Sequence, residues 1–158
     1  MSIVTINFAS IKADRAGNVN GKININNNVM FTEVKAIDIN LGSGQQPGLL
    51  LKFKYVCQYE PKIGSITLEG DVVAMEKQEI VKEAAAAWEK NKKIDPDLSR
   101  TVLGQVLTRC SVQAIILSRD LGLPAPVPLP KIEAPAKATD AKDAEPSKKN
   151  TDTAKDKK

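Results

Sequence analysis

Histidine is absent from this sequence, and aromatic residues make up only 4% of its 158 residues. Histidine is the commonest general base and metal ligand in proteins, so its absence removes most hydrolase and metal-centre designs. No Ser-x-x-Lys pair lies in a glycine-framed turn that could supply a different nucleophile and base, and the carboxylates fall on faces predicted to be exposed. We therefore predict that the chain is not an enzyme and needs neither a cofactor nor a metal ion.

Cysteine and long apolar runs are also scarce. Cys57 and Cys110 lie far apart, each inside an apolar pattern, which favours buried thiols over a disulfide or a metal pair. The first residues lack the features of a secretory signal, and no stretch reaches the roughly 18 apolar residues of a membrane span. We expect a cytoplasmic protein without a membrane span.

The charge and composition divide the chain into two parts. The formal net charge is +4, but residues 133–158 hold seven lysines against six acidic residues, so no basic arm is indicated there. This segment has no aromatic residue and almost no large apolar one, so it cannot bury enough surface to offset the entropy cost of ordering. We predict an α+β domain over residues 1–132 and a disordered tail rich in Lys, Ala and Asp over residues 133–158.

Alternation of apolar and polar residues predicts strands in the first half of the chain. The first strand carries Val4, Ile6 and Phe8 on one face. The predicted strands cover residues 1–15, 29–41, 49–60 and 65–75. The last two flank a turn at residues 61–64 and predict an antiparallel hairpin, in which Lys52 and Lys54 could pair with Glu69 and Asp71.

Two polar segments between these strands are interpreted as connections. The run Asn26-Asn27-Asn28 is typical of a loop, and residues 42–48 of a flexible connector. The glycines of the connector do not indicate a phosphate loop, because the required lysine and hydroxyl residue are missing and a strand follows.

Helical periodicity begins at Glu76. In residues 76–93, Ile80, Ala84 and Trp88 stack at four-residue steps, with Trp88 interpreted as a packing anchor. A longer helix begins after Asp95, a good N-cap followed by a proline, and should span about 26 residues or roughly 39 Å. Its predicted inward stripe comprises Leu98, Val102, Val106, Cys110, Ala114 and Leu117, widened by Leu103 and Leu107.

Four prolines at alternate positions follow this helix, within residues 123–132. Proline excludes both helix and central strand, so the segment should be extended. Leu123, Val127, Leu129 and Ile132 make it too apolar for a solvated linker, and we interpret it as a strap laid over an apolar surface. The alternative is a stiff spacer that leads to the tail.

These elements predict an antiparallel sheet of about four strands packed with a long C-terminal helix. The apolar stripe of that helix is longer than one small sheet can cover, and the first strand offers a free edge. We therefore expect a homo-oligomer, a dimer or a tetramer, with an interface that includes Gln113, Ile116, Ile6 and Phe8.

The order of elements and one short motif resemble the bacterial export chaperone SecB and its archaeal SecB-like relatives. The motif combines Thr108-Arg109-Cys110 and Ser118-Arg119 on the long helix with Leu123-Pro124 and the extended run at residues 127–130. The resemblance implies an ATP-independent holdase for unfolded or nascent polypeptides that serves in protein export. On this hypothesis Leu123, Val127, Leu129 and Ile132 border the apolar groove that binds the polypeptide. The alternative is that these residues only cap the core.

A second hypothesis is an RNA- or ribosome-associated accessory protein. It is supported by the positive net charge and by two lysine clusters, Lys90, Lys92 and Lys93, and Lys148 and Lys149, but the low aromatic content offers few platforms for base stacking. A third is an antitoxin-associated or other dedicated chaperone.

Overall fold

The computed structural model describes residues 2–18, 21–40, 42 and 44–127. Within them, β1 (Ser2–Arg15), β2 (Asn24–Asn40), β3 (Gln45–Glu60) and β4 (Gly64–Met75) are followed by α1 (Gln78–Asn91) and α2 (Pro96–Asp120). The strands form one antiparallel sheet in the order β1-β4-β3-β2, so β1 and β2 are its edges. Both helices pack on one face, which confirms the predicted α+β class. The predicted tail and the strap beyond Val127 lie outside the described residues.

The core lies between the two central strands and α2. Every second residue of β3 from Leu49 to Tyr59 is buried, as is every second residue of β4 from Ile66 to Ala74. On α2 the buried residues are Leu98, Val102, Val106, Cys110, Ala114 and Ser118. The predicted stripe is confirmed from Leu98 to Ala114, but Leu107, which was expected to widen it, is 41% exposed. At the end of the stripe Ser118 rather than Leu117 takes the innermost position, and it donates its Oγ–H to the Ile115 carbonyl oxygen at 2.8 Å.

The ends of α2 follow the sequence signals. The Asp95 carboxylate accepts from the backbone N–H groups of Asp97 and Leu98, both at 3.0 Å, and Gly122 adopts a left-handed φ of 62° after the last turn. Among the described residues α2 alone is long and apolar enough, by length and composition, to cross a membrane. Its buried stripe is that of a core helix packed on a sheet.

The predicted loop at Asn26-Asn27-Asn28 is wrong. These residues belong to β2 and pair with Gln58, Cys57 and Val56 of β3. Asparagine disfavours strands on its own, but cross-strand pairing and the bonds of Asn27 described below override that preference. The predicted connector is shorter than expected for a similar reason, because β3 already begins at Gln45.

β-Bulges and helix rotation change which side chains face inward. β1 shifts register between Ile3 and Thr5, so Ile3 rather than Val4 shares the helix side with Ile6 and Phe8, and Val4 is 43% exposed. On α1, Val81 is buried and Ile80 is exposed. The predicted faces of Val4 and Ile80 are therefore wrong, since a bulge breaks the period of two and tertiary packing sets the rotation of a short helix.

The β3–β4 hairpin is confirmed, with Lys54 opposite Glu69 and Lys52 opposite Asp71. Lys54 pairs with Glu69 at 2.8 Å on the outer face of the sheet. Lys52 instead pairs with Glu33 of β2 at 2.6 Å.

Candidate functional site

The strap begins directly after α2 and lies against the helix side of the sheet. Leu123 is buried in the core and Pro126 is buried as well. The Tyr59 hydroxyl donates to the Pro124 carbonyl oxygen at 3.0 Å, and the Asn27 side-chain amide donates to the Pro126 carbonyl oxygen at 2.6 Å. Over its described part, Leu123 to Val127, the segment is the packed strap that its apolar residues indicate.

Asn27 connects the strap to the core. Its Oδ1 accepts the Tyr55 hydroxyl proton at 3.0 Å while its Nδ2 holds the strap. Burial is the main cause that raises the pKa of both Tyr55 and Tyr59 well above the ordinary value, so both hydroxyls stay protonated and act as donors. The strap is therefore held by neutral hydrogen bonds that do not titrate near neutral pH.

Two of the four residues predicted to bind polypeptide lie in this described part. Leu123 is only 7% exposed and packs in the core, whereas Val127 is half-buried at the end of the strap. Leu129 and Ile132 lie outside the described residues. The role of all four residues in polypeptide binding stays a prediction.

An open apolar groove lies beside Phe31, between edge strand β2 and the corner where α1 meets α2. We call it the β2 groove. Its volume is about 500 Å³. Its lining residues are Met30, Phe31, Trp88, Lys92, Lys93, Ile94, Pro96, Ser99, Arg100 and Leu103. The apolar members come from four different segments, so only the folded chain brings them together.

A second groove lies on the opposite side of the α1–α2 corner. We call it the acidic groove. Its volume is about 680 Å³. Apolar side chains from both helices line it together with four carboxylates, and the full lining is Glu76, Ile80, Glu83, Ala84, Ala87, Asp95, Asp97, Leu98 and Thr101. The corner thus separates a groove with basic residues from one with acidic residues.

A third depression, the β1 cleft, runs between edge strand β1 and α2. Its volume is about 780 Å³, and its lining includes Ile6, Phe8, Val112 and Gln113. Three of the four predicted interface residues therefore lie together, while Ile116 lies one helical turn beyond Val112 and is 40% exposed. Phe8 also packs edge-to-face on Phe53, with ring centroids 6.2 Å apart. That these residues form an oligomer interface stays a prediction.

Both cysteines are buried free thiols, as predicted. Burial raises the pKa of Cys110 to about 12, and it also raises the pKa of Cys57. A protonated, buried thiol is a poor nucleophile. Within the described residues, no group of three His, Cys, Asp or Glu side chains is placed to hold a metal ion.

The arrangement of sheet, helices and strap can be compared with solved structures. It is similar to a SecB-like chaperone from Mycobacterium tuberculosis, solved in complex with a ChAD peptide from an antitoxin, with a TM-score of 0.52 and 12% sequence identity. The alignment covers 85% of this chain and 91% of that chain. This chain has a SecB-like fold. The sequence matches no protein-family model and no curated protein.

The likeness confirms the fold that the sequence motif implies. At 12% identity it shows the fold alone, and the bound peptide is a property of the mycobacterial protein. Sequence reasoning missed the β2 groove because its apolar residues are spread from Phe31 to Leu103. Two features of the sequence indicate this groove. Trp88 is the only tryptophan, and the Lys92-Lys93 pair follows it by one helical turn. The helical spacing favours a packing anchor over a ligand platform for Trp88, but the side chain packs against the core and also lines the groove.

Proposed function

We propose that this protein is an ATP-independent chaperone that holds unfolded or nascent polypeptides in the cytoplasm and serves in protein export. One observation carries the proposal: in a SecB-like fold, the β2 groove leaves large apolar side chains accessible beside an edge strand. Apolar burial is non-directional, so such a groove can bind many sequences that share bulky side chains.

The edge of β2 offers a backbone template next to the groove. Within the described part of the chain β2 pairs with β3 alone, so the groups along its outer edge can accept an added strand. Asn27 and Phe31 lie on the helix side, four residues apart, a span of about 13 Å at 3.3 Å per residue. An extended client segment could thus run from the strap at Asn27 to the β2 groove at Phe31, with Val127 at its border.

Assembly into an oligomer, which we also propose, would strengthen client binding. A small open groove binds one segment weakly, and several grooves in one oligomer bind one unfolded chain much more tightly through high effective concentration. The β1 cleft and the exposed Val112 and Ile116 are the surface that we assign to contact between copies.

Aggregation of a denatured client tests the holdase. We expect stoichiometric oligomer to suppress light scattering without ATP, and we expect Leu103→Asp to weaken suppression because it places a charge in the apolar lining. The control is Ile11→Asp, at an exposed apolar position outside the β2 groove, which should suppress like the wild type. Circular dichroism shows whether each variant is folded. A wild-type protein that leaves aggregation unchanged contradicts the proposal.

A second candidate function is an RNA- or ribosome-associated accessory protein. The specific observation in its favour is that Lys92, Lys93 and Arg100 lie beside Trp88, since cations with an aromatic face are what single-stranded RNA binds. Binding of a labelled RNA that weakens steeply with salt supports this candidate, and no binding at low salt removes it.

A further inference from the structure

The charged residues of the β2 groove are all of one sign. Lys92, Lys93 and Arg100 line it, and no acidic side chain does. Carboxylates gather instead in the acidic groove across the corner, which no cation lines. A segment that enters the β2 groove therefore meets apolar surface with positive charge around it.

The fold places these cations close to the apolar lining. Lys92 ends α1 in a left-handed conformation with φ of 55°, its N–H donates to the Trp88 carbonyl oxygen at 2.9 Å, and its Nζ lies 5.8 Å from the Trp88 ring centroid. The partner of Arg100 is Asp97, at 3.6 Å, and both side chains are more than four-fifths exposed. Such an exposed pair contributes little, so the guanidinium can bind another carboxylate at small cost.

We propose that the β2 groove selects polypeptide segments in which bulky apolar residues alternate with aspartate or glutamate. The inference rests on the proposed chaperone function and names its client class. In an extended segment, alternate side chains point to opposite sides, so apolar residues can enter the groove while neighbouring carboxylates reach its rim. Lys92, Lys93 and Arg100 then supply complementary charge, and Arg100 can bind a carboxylate with two hydrogen bonds.

A polypeptide fits this surface better than RNA does. Apart from the three cations and Ser99, the lining is apolar, and Trp88 and Phe31 are its only aromatic rings. A nucleic-acid strand that continued past the corner would meet Glu83, Asp95 and Asp97 of the acidic groove. Those carboxylates repel a continuous phosphate backbone, whereas a segment with a few separated carboxylates need not reach them.

Three labelled peptides test the proposal by fluorescence anisotropy on the full chain. They share the same Leu, Phe and Val residues and carry Glu, Gln or Lys at the positions between them. At low salt we expect the Glu peptide to bind about tenfold more tightly than the Gln peptide, and the Lys peptide to bind more weakly than either. High salt should shrink these differences, because rim charges are screened.

A matched pair of triple variants locates the effect. Lys92→Gln, Lys93→Gln and Arg100→Gln together should abolish the advantage of the Glu peptide, so that the Glu and Gln peptides bind this variant alike. Lys12→Gln, Lys82→Gln and Lys90→Gln together remove the same charge outside the β2 groove and should preserve the advantage. Circular dichroism checks that both variants fold.

Three results overturn the inference. The first is equal binding of the Glu and Gln peptides by the wild type, and the second is an advantage of the Glu peptide that persists in the Lys92, Lys93 and Arg100 triple variant. The third is single-stranded RNA that binds the wild type more tightly than the Glu peptide does and loses this affinity in that triple variant. If the Gln peptide still binds and aggregation is still suppressed, only the acidic preference fails. If no peptide binds and aggregation is unchanged, the proposed chaperone function fails with it.

Discussion

At the scale of single residues, Asn27 has more structural importance than its place in an asparagine run indicates. One side chain accepts from Tyr55 and donates to the strap carbonyl of Pro126. Asn27→Ala should lower the free energy of unfolding by about 1 kcal/mol, because it leaves the Tyr55 hydroxyl without this partner and frees the strap. Urea denaturation measures the change.

The matched control is Asn26→Ala, one residue away on the exposed outer face of β2. We expect little change there. Equal stability of the two variants would contradict the role that we assign to the Asn27 bonds.

Glu33 gives the fold a dependence on acid pH. Hydrogen bonds from Lys35 and Lys52 lower the pKa of its carboxyl from the ordinary 4.5 to about 2. Because the pKa is lower in the folded than in the unfolded protein, the ionised carboxylate stabilises the fold at pH values above about 4.5. That stabilisation is lost as the pH falls from about 4.5 towards 2. We expect Glu33→Gln to flatten the dependence of the melting temperature on pH in this window. The change should be small, since both lysines are exposed and solvent screens the two ion pairs.

Glu89→Gln, on the exposed side of α1, is the control for charge loss and should leave the profile as in the wild type. The carboxyl carbon shift of Glu33, followed by NMR, tests the cause directly. A midpoint near 4.5 would show that the two lysines do not bind this carboxylate in solution.

At the scale of elements, Gly70 joins three strands. It pairs with Phe8 on one side and Phe53 on the other, and those rings meet edge-to-face across it. A β-carbon at Gly70 would overlap the Asn7 carbonyl oxygen and press on the Phe53 ring. Gly70→Ala should therefore destabilise the protein by about 1–3 kcal/mol, measured by thermal or urea unfolding.

The helix offers a control of opposite sign. Gly104 lies inside α2, and a β-carbon there meets no neighbour within 4 Å. Gly104→Ala should stabilise the protein by about 0.5–1 kcal/mol, because alanine loses less backbone entropy than glycine in a helix. Stabilisation by both substitutions would contradict close packing at Gly70.

At the scale of the whole molecule, the exposed apolar surface along α2 and β1 predicts self-association. Val112 is 58% exposed and Ile116 40%, and between Arg100 and Arg119 the helix carries one charged residue, Arg109. We expect light scattering of the wild type at tens of micromolar to give a dimer or a tetramer. Val112→Glu and Ile116→Glu should lower the mass, because each places a charge in the contact.

Ile80→Glu is the control, at an exposed apolar position on α1 away from the β1 cleft, and should keep the wild-type mass. If the wild-type protein scatters as a monomer, the predicted oligomer is wrong, and the RNA-associated alternative gains support.

The sequence by itself determined the elements whose local signals agree with one another. In β3 the alternation from Leu49 to Tyr59 is uninterrupted, and in α2 the Asp95 cap, the apolar stripe and Gly122 all indicate the same helix. Such agreement leaves one low-energy choice for each segment, so the ends of α2, the inward face of β3 and the fold class could be predicted, whereas the start of β3 at Gln45 could not.

Only the tertiary structure decided features that depend on contacts between distant residues. β-Pairing and the strap made a strand of the asparagine run at residues 26–28, and a bulge in β1 turned Val4 outward in place of Ile3. The β2 groove joins Phe31, Trp88 and Leu103 across more than half of the described chain. No local pattern encodes such a surface, because its free energy comes from apolar side chains that become neighbours only after the sheet and helices have packed.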